Sequence, residues 1–406
     1  MTIKSISTNI GKALLINAFF MFIAIVISVI EGFDSGFTPL AISFSVTFIT
    51  GMFPFIFVKS EPSATLQSGF MTIVLSWLLS FVFGMLPYVL WGGEFTLINA
   101  WFESVSGYTT TGATILTDIE SLPKSILFWR SSTHFIGGLG VIIFLLMVLP
   151  DSSAVKLRLT HLELSSLSKE GYRFRSGTTA RVMVGVYCAL TTCLFLLLWA
   201  AGMSPFDAVN HAFSTVSTGG FSTRNMSIMH YDSVIIDIIL TVFMILSSMH
   251  FGTLFAIAVK RSFKPLGNSV TRYYLSIIAV ISIIIMLSLK LQGGYESWGK
   301  ALLDSTFQTA SYISTTGFGQ ADNALWPLLA NTLLIFAAFH CGCSGSTTGG
   351  IKADRAYISI KAIYGEFQKR LHPNSMFRTR INGRILDEET ISSVFPLEHS
   401  TQSKMQ

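Results

Sequence analysis

Eight long apolar stretches alternate with polar connections along the chain, at residues 13–30, 37–58, 70–91, 125–149, 182–201, 233–259, 273–291 and 325–341. Each approaches the ~20 residues that an α-helix needs to cross the hydrocarbon core of a bilayer. The pattern predicts an all-α polytopic membrane protein. The first stretch follows Lys4 and Lys12 but has no clear small-residue cleavage site ahead of Glu31 and Asp34, so it reads as a retained helix rather than a signal peptide. Three connections carry a pattern of their own: each is about 30 residues long and holds a moderately apolar segment too short to span, at Asn99–Tyr108, Pro205–Val216 and Ala301–Ile313. These predict short helices that dip into the membrane and return. Non-helical backbone at that depth must be buried in protein or line a water-filled cavity, so three re-entrant segments imply a pore.

Charge orients the spans. Lys156, Arg158, Lys169, Arg173, Arg175 and Arg181 fill one connection, Lys260, Arg261, Lys264 and Arg272 another, and basic residues from Lys352 to Arg384 follow the last apolar run. The positive-inside rule makes these cytoplasmic. Glu94, Glu103, Asp118 and Glu120, then Asp207, then Glu296, Asp304 and Asp322 mark the outer connections, which leaves both termini inside. Composition agrees: 51% of the 406 residues are hydrophobic and 12% charged, the latter about half the share of a soluble protein. That excludes a soluble enzyme. The excess of 27 Lys and Arg over 22 Asp and Glu lies between apolar runs rather than on a soluble domain, which argues for topology and against nucleic-acid binding. Four cysteines, at 188, 193, 341 and 343, make neither a disulfide framework nor a zinc site. His134, His250 and His340 lie in or near apolar helices without a second ligand at helical spacing, so packing is favoured over metal binding. No nucleophile, base and orienter set emerges, and no enzyme is expected.

A short string recurs at the end of each dip: Thr110-Thr111-Gly112, Ser217-Thr218-Gly219 and Thr315-Thr316-Gly317, spaced by 107 and 98 residues. A filter for a monovalent cation needs backbone carbonyls turned inward to replace the hydration shell. Glycine supplies the backbone dihedrals and the close approach that such a row requires. Thr/Gly-rich surface turns are the alternative. Glu103 and Asp304 would attract cations if they faced an outer vestibule, or are simply exposed at the water boundary. Arg130, near the outer end of its helix, is expected to snorkel to the interface, and Arg224-Asn225 to anchor the vestibule. A second Gly-rich string, Gly342-Cys343-Ser344-Gly345-Ser346-Thr347-Thr348-Gly349-Gly350, breaks the last apolar run before Ile351-Lys352-Ala353-Asp354-Arg355 resumes a helical pattern. No Gly-Lys-Ser/Thr follows it, which sets aside a phosphate loop. A broken membrane helix points to an ion path; a helix ending at Cys341 with a Gly-rich cytoplasmic turn is the alternative.

The strings Gly107-Tyr108-Thr109-Thr110-Thr111-Gly112-Ala113-Thr114, Phe213 to Asn225 and His134-Phe135-Ile136-Gly137-Gly138-Leu139-Gly140-Val141-Ile142 resemble the Trk/Ktr/HKT potassium transporter superfamily, most closely its bacterial TrkH branch. The resemblance runs from the first helix to about Ile385. It implies an N-terminal helix pair at 1–67 and repeats of helix, pore helix, filter strand and helix at 68–155, 180–260 and 271–366, with a polar cytoplasmic tail at 367–406. Thr110, Thr111, Gly112, Ser217, Thr218, Gly219, Thr315, Thr316 and Gly317 would then form the potassium filter. Gly342, Ser344, Gly345, Ser346, Thr347, Gly349 and Gly350 would form an intramembrane gate loop, with Lys352 and Arg355 as basic residues near it. The resemblance implies potassium as the substrate and no covalent cofactor or metal besides it. The implied partners are a second copy in a homodimer, a cytosolic nucleotide-binding regulatory subunit of the TrkA type and membrane lipid, with no nucleic acid. The implied place is the bacterial inner (cytoplasmic) membrane.

The family pattern has four repeats, and residues 366–406 hold no apolar run longer than a few residues. The fourth repeat is therefore expected to be absent. The expected function is potassium uptake through a Gly-lined filter gated by the intramembrane loop below it, by a truncated chain that is inactive alone or that a separate chain completes. A non-transporting membrane scaffold or regulatory decoy, and a sodium-coupled solute carrier, are the alternatives.

Overall fold

In this computed structural model residues 3–58, 66–147 and 176–372 are described, together with the pairs 380–381 and 384–385. The basic connection at 156–175 and most of the 367–406 tail lie outside the described residues. The fold is all-helical and belongs to a membrane protein. α1 (Ile3–Ile30) and α2 (Phe37–Phe57) form an antiparallel pair, and α3 (Leu66–Gly84) continues through a short α4 (Leu86–Trp91). α5 (Leu97–Tyr108) is a short helix, followed by α6 (Lys124–Met147). The same order returns twice: α7 (Ser176–Ala200), short α8 (Pro205–Val216), then α9 (Val234–Ser247) and α10 (Phe251–Lys260); and α11 (Ser269–Leu291), short α12 (Trp298–Ile313), then α13 (Leu328–Phe339) and α14 (Ala353–Leu371). A two-residue antiparallel pair, Arg380–Ile381 with Arg384–Ile385, is the strand structure among the described residues. Among the described residues five helices are long and apolar enough to cross a membrane, and a sixth span results if α9 and α10, bent by 106° at their junction, count as one.

Packing follows the repeats. Met21, Tyr88, Tyr108 and Trp129 centre a core that joins α1 to the first unit. Tyr187, Leu240, Met244 and Phe251 centre a second core, and Tyr274, Ile278, Ile285 and Leu334 a third. Large apolar residues such as Ile30, Ile49, Ile56, Leu197 and Phe336 stay exposed on the outside, as a lipid-facing surface requires. Without a hydrophobic drive between helices in lipid, close backbone approach and polar links hold them together. Gly11 of α1 lies so near α2 that a Cβ there would sit 2.7 Å from the Gly51 carbonyl oxygen, and Asn17 donates to Ser80 of α3 at 3.1 Å.

Candidate ion-conduction site

The three short helices start differently and end alike. Thr96 caps α5 by accepting from the Asn99 N–H at 3.3 Å, and Ser204 caps α8 by accepting from Asp207 at 3.0 Å. Each helix then stops on a hydroxyl residue, Thr109, Ser217 or Ser314. The next residue in each, Thr110, Thr218 or Thr315, takes a left-handed φ of 53°, 58° or 57°. Two residues later comes a glycine with φ of 76°, 85° or 81°: Gly112, Gly220 and Gly317. The structural register therefore differs by one residue from the Thr-Gly string in the second unit. Gly220 is the counterpart of Gly112 and Gly317, while Gly219 stands where the others have Thr111 and Thr316.

Hydrogen bonds confirm that register. The N–H groups of Thr111, Gly219 and Thr316 donate back to Ser106, Ser214 and Ser311 at 2.9, 2.8 and 3.0 Å, and those of Thr110, Thr218 and Thr315 to Gly107, Thr215 and Tyr312 at 3.1, 3.0 and 3.0 Å. In a trans peptide the carbonyl points opposite to the N–H that follows it. The carbonyls of Thr109, Thr110, Ser217, Thr218, Ser314 and Thr315 are thus turned away from their helices. At the far end the direction reverses: Ser106 Oγ donates to the Ala113 carbonyl at 2.6 Å and Ser311 Oγ to that of Phe318 at 2.8 Å. Each helix also directs the negative end of its dipole at the turn. The arrangement offers acceptors to a cation.

The strands lie against one another in chain order. A Cβ on Gly112 would overlap the Gly219 carbonyl oxygen, and one on Gly220 the Thr316 carbonyl oxygen, whereas nothing lies within 4 Å of one on Gly317. The middle strand, Ser217 to Gly219, is buried, while Thr111 and Gly317 are exposed. The three strands form an arc with one open side.

At one register position on each short helix a different side chain ties down the strand that leaves the glycine. Glu103 accepts from Thr114 Oγ1 at 3.0 Å and from the Ile115 N–H at 3.3 Å. His211 Nε2 meets Ser222 Oγ at 3.0 Å. Gln308, with its amide oriented to satisfy its neighbours, accepts from the N–H groups of Gln320 and Ala321 at 3.1 and 3.2 Å. Glu103 is fully buried and paired with Arg130, itself 1% exposed, at 2.7 Å. Neither residue is at the water boundary: the pair has replaced the vestibule role and the snorkelling expected of them, because each neutralises the other inside the protein. Asp304 is likewise buried, accepting from Tyr295 at 2.8 Å and Gln320 at 2.9 Å. Burial and the Asp304 carboxylate hold the Tyr295 phenol above its ordinary range. Arg224 pairs with Asp207 at 2.9 Å, and Asn225 bonds the Ile119 N–H at 2.7 Å and Asp118 at 2.8 Å, which anchors the loop after the second strand to the first unit. The Gly137-Gly138 pair of α6 is what lets this helix press on two turns at once: a Cβ on Gly137 would overlap the Tyr108 carbonyl, and one on Gly138 would sit 2.9 Å from Ser217 Cβ.

The Gly342–Gly350 stretch is folded and packed beneath the strands, unlike a helix end followed by a free turn. α13 stops at Phe339, and the loop closes on itself where the Cys341 N–H meets the Ile351 carbonyl at 3.1 Å and the Ala353 N–H that of Gly342 at 3.0 Å. Thr347 Oγ1 donates to the Val216 carbonyl at 3.0 Å and the Gly349 N–H to Thr315 Oγ1 at 3.2 Å, next to the second and third turns. Ser344 donates its N–H at 3.2 Å and its hydroxyl at 2.6 Å to Asp354, in the first turn of α14. The bend between α9 and α10 interlocks with the loop: the Cys343 N–H donates to Ser248 at 2.8 Å and the Phe251 N–H to Gly345 at 3.2 Å. Ser346 bonds Thr348 at 2.9 Å, and the Lys352 ammonium donates to the Thr348 carbonyl inside the loop. Arg355 is exposed on α14. Neither Asp354 nor the α9–α10 bend is evident from the pore strings, although the polar run Ser247-Ser248-Met249-His250 inside an apolar stretch marks the bend.

The family profile described as TrkH, cation transport protein, matches residues 40–398. This chain belongs to the TrkH family. The TrkH resemblance extends to individual proteins: the Trk system potassium uptake protein TrkH of Salmonella typhimurium is 35% identical over 302 residues, covering 74% of this chain and 62% of that protein. The potassium uptake protein TrkG of Escherichia coli K12 is 34% identical over 303 residues, with 74% and 62% covered. The crystal structure of the potassium transporter TrkH from Vibrio parahaemolyticus superposes with a TM-score of 0.86 at 29% identity, over 98% of this chain and 82% of that one. These relatives are named as transporters, not enzymes. The chain spans about 62% of the length of the curated TrkH relatives it matches.

Proposed function

We propose that this chain takes part in potassium uptake across the bacterial inner membrane, with both termini cytoplasmic, and that the three strands after α5, α8 and α12 line its selectivity filter. The observation that carries this reading is the threefold turn in which two successive N–H groups are consumed by the short helix, so that the carbonyls beside them face away from it. Such a surface competes with water for a monovalent cation and gives nothing to an anion. Thr110, Thr111, Gly112, Ser217, Thr218, Gly219, Thr315, Thr316 and Gly317 are the filter residues, with Gly220 added at the second glycine position. The open side beside Gly317 is where the four-repeat pattern of the superfamily would seat a fourth strand.

The Gly342–Gly350 loop is the gate in this reading, since its contacts to Val216 and Thr315 lie directly below the strands. The division into a helix pair, three pore repeats and a polar tail, a homodimer, and a cytosolic nucleotide-binding subunit of the TrkA type belong to the same proposal. The test is rubidium uptake and growth at low potassium in cells lacking their own uptake systems. The cells would express either this chain or this chain extended by the matching C-terminal part of a TrkH relative. Uptake by either form supports the reading. No uptake by an extended form that inserts into the membrane overturns it. Deleting Gly345–Gly349 should raise flux; flux equal to that of the parent contradicts the gate.

A further inference from the structure

Arg130 sits where the first two units meet. Its Nε donates to Glu103 Oε1 at 2.8 Å, and a second nitrogen reaches Thr114 Oγ1 at 3.3 Å, so its guanidinium holds both the short helix and the departing strand of the first unit. The other face of the guanidinium lies 4.1 Å from the centre of the Phe221 ring, which directly follows Gly220 in the second unit. One turn along α6, His134 stacks on the same ring with centroids 4.0 Å apart and meets Ser214 Oγ at 3.3 Å. Phe221 is thus held between two side chains of the first unit. The second and third strands are linked without a charged group: His211 packs on Phe318, the residue after Gly317, with ring centroids 5.7 Å apart, and the Ile228 and Met229 N–H groups donate to the Gly319 carbonyl at 3.0 and 3.2 Å.

We propose that Arg130 is a specificity-determining positioning residue, which sets the spacing of the first two filter strands by joining Glu103 and Thr114 on one side to Phe221 on the other. The inference rests on the filter reading above. A planar guanidinium can bond a carboxylate in its plane and stack on a ring with its face at the same time, which a lysine ammonium cannot do. Selectivity between potassium and sodium depends on how closely the carbonyls can follow the smaller ion inward, and a rigid spacer between strands limits that movement.

The test is titration of the purified full chain with potassium alone and with sodium alone, read as the rise in melting temperature with each cation. The variants are Phe221→Leu, which leaves the ion pair intact, the double variant Arg130→Met with Glu103→Met, which removes both buried charges together, and Arg130→Lys. Glu31→Gln, which breaks an exposed pair with Lys124, is the control. The parent and control should prefer potassium. Phe221→Leu and the double variant should lose about tenfold of the potassium-over-sodium affinity ratio, with Arg130→Lys between them and the parent. A purely structural role would lower the cation-free melting temperature and leave the ratio alone, and that outcome overturns the inference while sparing the filter. A parent that shows no preference for potassium overturns the filter reading and the inference with it.

Discussion

The ends of α5, α8 and α12 carry the same hydroxyl stop, the same left-handed threonine and the same glycine two residues on, with φ values within 9° of one another at the glycines. The helices that follow them share almost nothing. α6 runs unbroken for 24 residues, α9 and α10 meet at a 106° bend, and α13 and α14 are separated by a packed glycine loop. Repetition holds at the turns, where equivalent N–H groups bond back to the helix and equivalent carbonyls face away from it. Divergence is tolerated beneath, where the bend and the loop interlock through Ser248, Cys343, Gly345 and Phe251. The difference separates three like turns above from an unlike bend and loop below, which the proposed function reads as filter and gate.

The three turns differ most at their glycines. Gly220→Ala adds both a left-handed side chain and an overlap with the Thr316 carbonyl oxygen, whereas Gly317→Ala adds the strained φ alone. Strain of that kind costs about 1–2 kcal/mol, and overpacking adds about 1–3 kcal/mol. Chemical denaturation should therefore show Gly220→Ala destabilised more than Gly317→Ala. Equal losses would mean that the strands are not in contact at that point. Asp354→Ala acts on the asymmetric side. It removes two bonds to a charged acceptor, each worth about 1.5–3 kcal/mol, so amide exchange across Gly342–Gly350 should quicken and flux should rise, while cation preference stays that of the parent. A change of preference without a change of exchange would mean that Asp354 acts on the turns rather than on the loop.

Much of this layout is legible in the sequence. The last residues of the three short helices, Tyr108, Val216 and Ile313, are those where the moderately apolar segments stop, because a run too short to span must turn back. The glycine break after Cys341 is equally plain. The glycine of the second turn is not, because Gly219 and Gly220 stand side by side and a string match takes the first, whereas the backbone bonds select the second. The Glu103–Arg130 pair is hidden for a different reason. Its members are 27 residues apart on separate helices, and local hydropathy gives each a solvated role that only their meeting cancels.

Smaller effects sharpen the symmetric half. Ser106→Ala and Ser311→Ala each remove one hydroxyl bond to the strand carbonyl seven residues on, at Ala113 and Phe318. Each should cost about 1 kcal/mol and the two should agree closely. A large disparity between them in thermal unfolding would show that the turns differ in strength despite their common geometry. Lys124→Gln, at the exposed pair with Glu31, should change stability by less than about 1 kcal/mol and leave both halves untouched, as measured by unfolding and by exchange.

The proposed filter requires the three turns to hold one cation among their carbonyls. A crystal structure of the chain in rubidium, read by anomalous scattering, tests it most directly. A rubidium peak is expected among the carbonyls of Thr110, Thr218 and Thr315, lost on replacing rubidium with sodium. A peak confined to the outer carboxylates, or none at these turns at saturating rubidium, would contradict it.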